Sequence, residues 1–204
     1  MPIITSIELQ KTKKRVNIFI DGKFDFGLDL ENFITLNLKV NQELTNEEID
    51  VIKDKSERAK AFNKVLNYAT IRPRSEKEIK DYLKRKKIDN LIYLYIIKKL
   101  TKLKLLDDLE FAKWWVEQRQ EFSSKAKRIL NYELRIKGIS NEIISNTLED
   151  IEIDELKIAK DLIESKSYKW ERYDENERKQ KISQYLVGKG FSWDIINTIV
   201  KLEY

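Results

Sequence analysis

The sequence contains no cysteine and no histidine among its 204 residues. Without cysteine the chain cannot form a disulfide, hold an iron–sulfur cluster or use a thiol nucleophile, so we expect a reducing cytoplasm as its location. Without histidine it lacks the usual transition-metal ligand and the side chain best suited to proton transfer near neutral pH. Catalysis by carboxylates, lysine and tyrosine is therefore the weakest functional hypothesis, and we expect no catalytic residue, cofactor or metal.

Glycine, proline and long apolar runs are also scarce. The chain has five glycines and two prolines, and its longest apolar run, Leu91 to Ile97, is far too short to span a bilayer. The first residues show no basic segment followed by an apolar one, so we expect neither export nor membrane association. Leucine, isoleucine, lysine and glutamate dominate a composition that is 41% hydrophobic, which favours a folded, mainly helical protein.

Positive charge is concentrated in one part of the sequence. The chain carries a formal net charge of +5, yet residues 72–104 alone contain twelve basic and four acidic residues, a local excess of +8. Such an excess can attract a polyanion or an acidic protein groove. A solvated lysine-rich surface is an equally good interpretation at this point.

The N-terminal segment has the pattern of a β-hairpin. Val16, Ile18 and Ile20 alternate with other residues, Asp21-Gly22 follows, and a second alternating run contains Phe24, Phe26 and Leu28. Asp-Gly between two such runs predicts a type I′ turn, because both central residues of that turn need positive φ. Residues 4–9 are predicted to add a third strand. Thr45 with Glu48 then forms a capping-box pattern that predicts a helix start.

From about residue 59 the sequence repeats with a period of about 51 residues. Alignment of Leu83, Leu134 and Leu186 brings six further columns into register, and six of the seven columns are wholly apolar. The further columns are Ile79/Leu130/Ile182, Ile88/Ile139/Phe191, Ile92/Ile143/Ile195, Tyr93/Ile144/Ile196, Ile96/Thr147/Ile199 and Ile97/Leu148/Val200. A fixed period of this length is typical of tandem helical repeats.

The helix boundary signals recur at the same places in each repeat. Gly138 and Gly190 stand where a helix should end in a left-handed residue, and Lys87 occupies that place in the first repeat. Asp89, Ser140 and Ser192 follow as helix N-caps. Asp107 and Asp154 are predicted to open the first helices of the second and third repeats.

The predicted fold is therefore mainly α, with three tandem three-helix repeats forming an elongated curved array behind a small N-terminal hairpin or three-strand segment. The predicted segments are 1–45 for the N-terminal β structure and 46–106 for a linker helix with the first repeat. The second repeat is assigned to 107–150 and the third to 151–204. We expect a monomer.

Three runs of residues in the repeats form recognisable motifs. The first is Arg72 to Leu83 (RPRSEKEIKDYL) and the second is Leu103 to Ala112 (LKLLDDLEFA). They resemble two patterns of the RecX family, R-x-R-S-x-x-E-L-x-x-x-L and G-x-[IL]-[DN]-D-x-x-[FY]-A. Glu133 to Ile139 (ELRIKGI) resembles E-L-x-x-[KR]-G-[IV]. Arg119 falls where the family has an arginine. The resemblance covers residues 59–148 well and the third repeat more loosely. Lys104 and Lys87 replace glycines of the family.

The resemblance implies a non-catalytic regulator of the RecA recombinase, acting in recombination, DNA repair and the SOS response. Such a regulator would bind the RecA filament on single-stranded DNA and inhibit ATP hydrolysis, filament extension, strand exchange and co-protease activity. A direct DNA-binding protein is the alternative hypothesis, because three-helix units resemble helix-turn-helix modules. Weak direct DNA binding is compatible with either.

The candidate residues for partner or DNA contact are mostly basic and lie in the first two repeats. They are Arg72, Arg74, Lys77, Lys84, Arg85, Lys86, Lys87, Trp114, Arg119, Arg128 and Arg135. Arg74, Arg85 and Arg119 are the preferred contacts, since arginine binds planar acceptors in a bidentate manner.

Each candidate also has a purely structural interpretation. Arg74 and Arg119 could pair with nearby carboxylates and brace the fold, while residues 84–87 could serve the helix dipole. Ser75, Glu78, Asp107 and Glu110 are interpreted as capping residues, and Asp107-Asp108 lacks the ligand count of a metal site. Trp115, four residues after Phe111, is the predicted core tryptophan, with Phe111, Ala112 and Trp115 forming the apolar stripe. Trp114 could be core or surface anchor.

Overall fold

A computed structural model describes residues 1–11, 13–123 and 125–203, with side chains up to residue 201. Three strands come first: β1 (Ile4–Leu9), β2 (Arg15–Ile20) and β3 (Lys23–Asp29). The helices are α1 (Leu30–Leu36), α2 (Asn46–Ala69), α3 (Glu76–Arg85), α4 (Asn90–Lys102), α5 (Asp108–Ser123), α6 (Lys127–Ile136), α7 (Asn141–Asp150), α8 (Glu155–Glu164), α9 (Glu175–Gly188) and α10 (Trp193–Glu203). A short 3₁₀ turn, Ser167–Lys169, lies between α8 and α9.

The chain divides into two compact bodies. The first contains Met1–Arg72 and Lys80–Leu103, and the second contains Pro73–Ile79 and Lys104–Tyr204, so the division passes through α3. The prediction of a mainly helical protein of three-helix repeats behind a three-stranded sheet is confirmed. The repeats consist of the second half of α2 with α3 and α4, of α5–α7, and of α8–α10.

The N-terminal sheet is antiparallel with strand order β1-β2-β3. Asp21 and Gly22 have φ values of 48° and 78°, as the predicted type I′ turn requires. One face of the sheet packs against α2, where Ile18, Leu28, Ile49 and Ile52 belong to the same buried cluster. The hairpin therefore gains from α2 the packing that an isolated hairpin lacks in water.

The predicted alternation of Phe24, Phe26 and Leu28 on one face of β3 is wrong at Phe24. A register shift between Ile18 and Phe19 pairs Phe19 with Phe24 but Ile18 with Phe26, which leaves one extra residue in β3. Such a bulge turns the residues beyond it to the opposite face of the strand. Phe24 is consequently 58% exposed and contacts the Phe19 ring edge to face at 5.9 Å between centroids, whereas Phe26 remains buried.

Helix α2 runs unbroken for 24 residues from the predicted capping box. The Thr45 side chain accepts from the Glu48 amide, and the Glu48 carboxylate accepts from the Thr45 amide at 2.8 Å. The predicted linker helix and the first helix of the first repeat are thus one helix. Arg15 joins it to the sheet, because its Nη2 donates to both the Gly27 carbonyl and the Ser56 hydroxyl.

Asp29 is the N-cap of the short helix α1, and its carboxylate accepts from the Asn32 amide at 2.9 Å. Partial burial raises the pKa of Asp29, but the hydrogen bonds from Asn32, its own backbone amide and the charge of Arg15 together leave that pKa below its ordinary value. The carboxylate is therefore held in its charged form at the positive end of the helix.

The second helix of each repeat ends in the same hydrogen-bonded turn. The residue that follows the left-handed position donates its N–H back into the last helical turn at 3.1 to 3.2 Å: Ile88 to Leu83, Ile139 to Leu134 and Phe191 to Leu186. The left-handed residues are Lys87, Gly138 and Gly190, with φ values of 53°, 84° and 87°. Lys104, the other family glycine position, also has positive φ at 56°. The predicted boundaries are confirmed, and two lysines occupy a conformation that favours glycine.

Three aligned columns form the centre of the repeat cores. They are Ile79/Leu130/Ile182, Leu83/Leu134/Leu186 and Ile96/Thr147/Ile199, and each of these residues is 0% exposed. Other columns are less uniform, since Ile92 is buried while Ile143 and Ile195 are only half-buried. These three columns of the repeat alignment therefore identify equivalent core positions in all three repeats.

Successive repeats in the second compact body meet at the two glycines. A Cβ atom on Gly138 would lie 2.8 Å from the Lys77 Cβ at the start of α3, and one on Gly190 would overlap Ile129 in the first turn of α6. Both glycines are thus needed for close approach as well as for positive φ.

Carboxylates from one repeat also cap the second helix of the preceding repeat. Asp108, the first residue of α5, accepts from the Glu76 amide at the start of α3 at 2.8 Å. Glu155, the first residue of α8, accepts from the Lys127 amide at the start of α6 at 3.0 Å. An N-terminal helix amide has no partner within its own helix. These equivalent contacts therefore stabilise the N-termini of α3 and α6 and join each repeat to the next.

Candidate partner-binding surface

The predicted basic segment 72–87 separates into buried and exposed side chains. Arg74 is only 9% exposed, and its Nη1 lies 3.9 Å from the Glu78 carboxylate. Arg72 is half-buried in the bend before it. The buried guanidinium of Arg74 offers little surface to an external partner, so its geometry favours the bracing interpretation.

The start of α3 is fastened to the end of α6. The Ser75 hydroxyl donates to the Lys137 carbonyl at 2.8 Å while accepting from the Glu78 amide, as its predicted N-cap role requires. Lys77 Nζ donates to the Ile136 carbonyl at 2.9 Å, and Lys137 Nζ forms an ion pair with Glu78 at 2.7 Å. Glu78, interpreted from sequence as a capping residue, therefore also holds two repeats together.

Arg119 belongs to a second bracing cluster around Trp115. Its Nε forms an ion pair with Glu133 at 2.7 Å, and its guanidinium lies 4.3 Å from the centroid of the Trp115 ring. Lys137 Nζ lies 4.7 Å from the same centroid, and the indole N–H donates to Glu133 at 2.9 Å. Cations over a tryptophan face are stabilising, so these contacts hold α5 and α6 together.

Both tryptophans of α5 are half-buried, which corrects the predicted apolar stripe. Trp114 and Trp115 each lie about 6 Å from the Phe111 ring between centroids. The fully buried positions of the helix are Phe111, Ala112 and Val116, so Val116 takes the core place assigned to Trp115. Trp114 is neither fully core nor an isolated surface anchor.

The end of α3 presents an exposed cluster of four cations: Lys84, Arg85, Lys86 and Lys87. None of the four forms an ion pair with a residue that the structure describes. Arg85 and Lys86 lie 5.9 and 5.6 Å from the centroid of the Tyr82 ring, which stacks on Tyr68 at 4.2 Å. This cluster is open to an anionic partner.

Arg128 and Arg135 lie on the exposed face of α6, one on each side of Tyr132. With their neighbours they border a shallow cavity of about 400 Å³, which we name the α6 cavity. Its lining consists of Lys127, Arg128, Asn131, Tyr132, Arg135 and Leu148. Within the described ranges neither arginine is ion-paired. The sequence prediction named the two arginines but missed Asn131 and Tyr132 between them. The spacing of these four residues along α6 places them on one helix face.

No metal or membrane feature accompanies these residues. Asp107 caps α5 by accepting from the Leu109 amide at 2.8 Å, and Asp108 caps α3. Among the described residues no group of three or more acidic side chains could hold a metal ion. No helix in that same part of the chain has the length and apolarity that a bilayer crossing needs.

The fold and these clusters define a class of protein: a helical-repeat protein whose first two repeats each carry a group of exposed cations. Four family models match consecutive segments of this chain. The regulatory protein RecX N-terminal domain matches residues 2–45, and the first, second and third three-helix domains of RecX match 61–100, 107–148 and 152–200.

Similar proteins and structures extend over the whole chain. The regulatory protein RecX of Bacillus licheniformis is 36% identical over 203 residues, covering 98% of this chain and 77% of that protein. The Bacillus subtilis protein of the same name is 34% identical over 207 residues, covering 100% and 78%. A crystal structure of regulatory protein RecX, 30% identical, matches with a TM-score of 0.80 and full coverage of both chains. The chain belongs to the RecX family of regulatory proteins, as the sequence resemblance predicted.

Proposed function

We propose that this protein is a non-catalytic regulator of homologous recombination and DNA repair that acts in the cytoplasm on the RecA recombinase. It binds the RecA filament on single-stranded DNA and inhibits ATP hydrolysis, filament extension and strand exchange. It also inhibits co-protease activity, which includes the co-protease activity of the SOS response. The observation that carries the proposal is family membership along the full chain. The absence of histidine and cysteine agrees with regulation by binding.

The mechanism is a population shift. A monomer that binds one filament conformation more tightly than another moves the filament toward that conformation without any chemical step. Exposed cations without ion-pair partners are suited to this, because they break no ion pair when an anionic partner arrives.

We assign the contacts to exposed cations that form no ion pair, and the bracing to cations that are already engaged in ion pairs or hydrogen bonds with neighbouring helices. Lys84, Arg85, Lys86 and Lys87 form one contact cluster, and Arg128 with Arg135 forms another. Arg74, Lys77 and Arg119 position these helices through their ion pairs and hydrogen bonds. Arg72 and Trp114, both half-buried, are secondary contacts.

Direct binding of duplex DNA is the second candidate, and for the second repeat the charge of α7 argues against it. In a helix-turn-helix arrangement the third helix of the unit enters the major groove. In the second repeat that helix is α7, whose exposed side chains include Glu142, Glu149 and Asp150. Carboxylates on the inserted helix would repel the phosphates.

The test is binding to RecA filaments assembled on a single strand with a non-hydrolysable ATP analogue, measured by co-sedimentation. We expect binding to the filament to be at least about tenfold tighter than to the same DNA without RecA, a difference of about 1.4 kcal/mol. Equal binding with and without RecA would favour the DNA-binding alternative.

A charge reversal locates the contact. The variant Lys84→Glu/Arg85→Glu should bind the filament at least about tenfold more weakly, because like charges then face an anionic groove. The matched control Lys55→Glu/Lys60→Glu changes two exposed residues of α2 by the same charge and should bind normally. If both variants bind like the unaltered protein, the end of α3 is not a contact.

A further inference from the structure

The exposed face of α6 carries charge that the repeat fold does not require. In the alignment of the repeat cores, Arg128, Asn131, Tyr132 and Arg135 correspond to Gln180, Ser183, Gln184 and Val187 of α9. The third repeat thus folds with the same helix and the same buried columns, yet none of these four positions carries a charge. The arginines of α6 are therefore explained by something other than the stability of the repeat.

Two charged residues on the opposite side, Glu133 of α6 and Lys137 just after its end, are already engaged. Glu133 pairs with Arg119, and Lys137 pairs with Glu78. Glu155 accepts from the Lys127 backbone amide, so that carboxylate is also in use. No carboxylate lines the α6 cavity, which leaves Lys127, Arg128 and Arg135 as its charged groups.

The side chains between the arginines are suited to a nucleobase. Tyr132 is 63% exposed, so its ring face is available for stacking. Leu148 supplies an apolar wall, and Asn131 can donate and accept hydrogen bonds. Because a helix rises 1.5 Å per residue, the backbones of residues 128 and 135 lie about 10 Å apart, room for a nucleotide between two phosphate contacts.

We propose that the α6 cavity binds a short segment of single-stranded nucleic acid, with Arg128 and Arg135 on phosphates and Tyr132 stacked on a base. The inference deepens the proposed function, since a RecA filament contains such a strand. An acidic protein segment would satisfy the arginines but would make no use of the exposed tyrosine ring. A duplex would bring the carboxylates of α7 toward phosphates.

The experiment measures fluorescence anisotropy of a labelled 20-nucleotide oligothymidylate at low salt, with the full chain and without RecA. We expect saturable binding that Arg128→Glu/Arg135→Glu weakens at least about tenfold. The slope of log K against log salt should become less steep by about 1.4, because two single-strand phosphate contacts are lost. The matched control Gln180→Glu/Val187→Glu places two acidic residues at the equivalent positions of α9 and should bind with less than about threefold change.

A second variant separates base stacking from charge. Tyr132→Ala should weaken oligothymidylate at least about fivefold while changing binding of an abasic 20-mer much less, because the abasic strand has phosphates but no base to stack. Circular dichroism must show unaltered helicity for each variant. Should Arg128→Glu/Arg135→Glu unfold, the conservative pair Arg128→Gln/Arg135→Gln replaces it with the same expected direction.

Several results would overturn the inference. They are no binding of oligothymidylate by the unaltered protein, equal binding by the arginine variant, and equal loss in the α9 control. Binding of a labelled polyglutamate peptide in place of the oligonucleotide would assign the cavity to an acidic protein surface instead. Since RecA is absent, any of these outcomes leaves RecA inhibition to be decided by its own assay.

Discussion

Individual residues in left-handed backbone decide how the repeats end and how closely they pack. Lys87 and Lys104 have positive φ without being glycine, whereas Gly138 and Gly190 combine positive φ with contact to the preceding repeat. A left-handed conformation costs a residue with a Cβ about 1–2 kcal/mol. Substitutions at the two kinds of position should therefore act in opposite directions.

Gly138→Ala and Gly190→Ala are expected to lower the free energy of unfolding by more than about 2 kcal/mol each, since backbone strain is added to a steric clash. Lys87→Gly should leave it unchanged or raise it by up to about 1 kcal/mol, because relief of strain is partly offset by the greater freedom of glycine when unfolded. Urea denaturation measures all three. Equal effects of the alanine and glycine substitutions would contradict the role assigned to close approach.

Leu134 tests the aligned core column at the same scale. It is 0% exposed within the cluster of the second repeat, so Leu134→Ala should cost about 2–5 kcal/mol. Ile136, two residues along α6 and 50% exposed, is the control, and Ile136→Ala should change stability by less than about 1 kcal/mol. Thermal and urea unfolding of the pair give the comparison, and similar losses for both would show that the column does not mark the core.

At the scale of helices and strands, local sequence signals were sufficient to predict turns and helix ends. Contacts between residues far apart in the sequence could not be predicted in this way. The Asp21-Gly22 turn, the Thr45 cap and the helix end at Gly138 each depend on a few neighbouring residues, and the sequence predicted them. The bulge that exposes Phe24 depends on strand register. The capping of α3 by Asp108 joins residues 32 apart, which no local pattern reveals.

The same distinction applies to the candidate surface. The sequence identified the basic residues but could not tell Arg119, which pairs with Glu133 14 positions away, from Arg135, which is exposed. Ion pairs between helices depend on packing, and packing is fixed by the whole core. The division of the chain into four segments remains a prediction.

A fragment tests how far the repeats depend on the N-terminal sheet. Residues 59–204 contain the aligned columns and caps, so we expect this fragment to be helical by circular dichroism and to melt cooperatively. It loses Ile49 and Ile52, but these residues pack with the sheet that is removed with them. A disordered spectrum would show that the repeats need the sheet in order to fold.

At the scale of the whole molecule, function is proposed to arise from where unpaired cations lie on a repetitive scaffold. The third repeat has the same buried columns as the first two, but Gln180 and Val187 of α9 stand where α6 has Arg128 and Arg135. Repeats can diverge on their surfaces while their cores remain alike, because each repeat contributes its own patch to the surface. The first two repeats are accordingly the proposed binding part of the protein.

The most direct test is the ATPase rate of RecA on single-stranded DNA, measured with increasing amounts of this protein. Regulation by binding predicts that the rate falls in a saturable manner, and that Lys84→Glu/Arg85→Glu shifts the half-inhibitory concentration upward at least about tenfold while Lys55→Glu/Lys60→Glu does not. An ATPase rate that stays unchanged at concentrations where the protein is folded and in excess over RecA would contradict the proposed function.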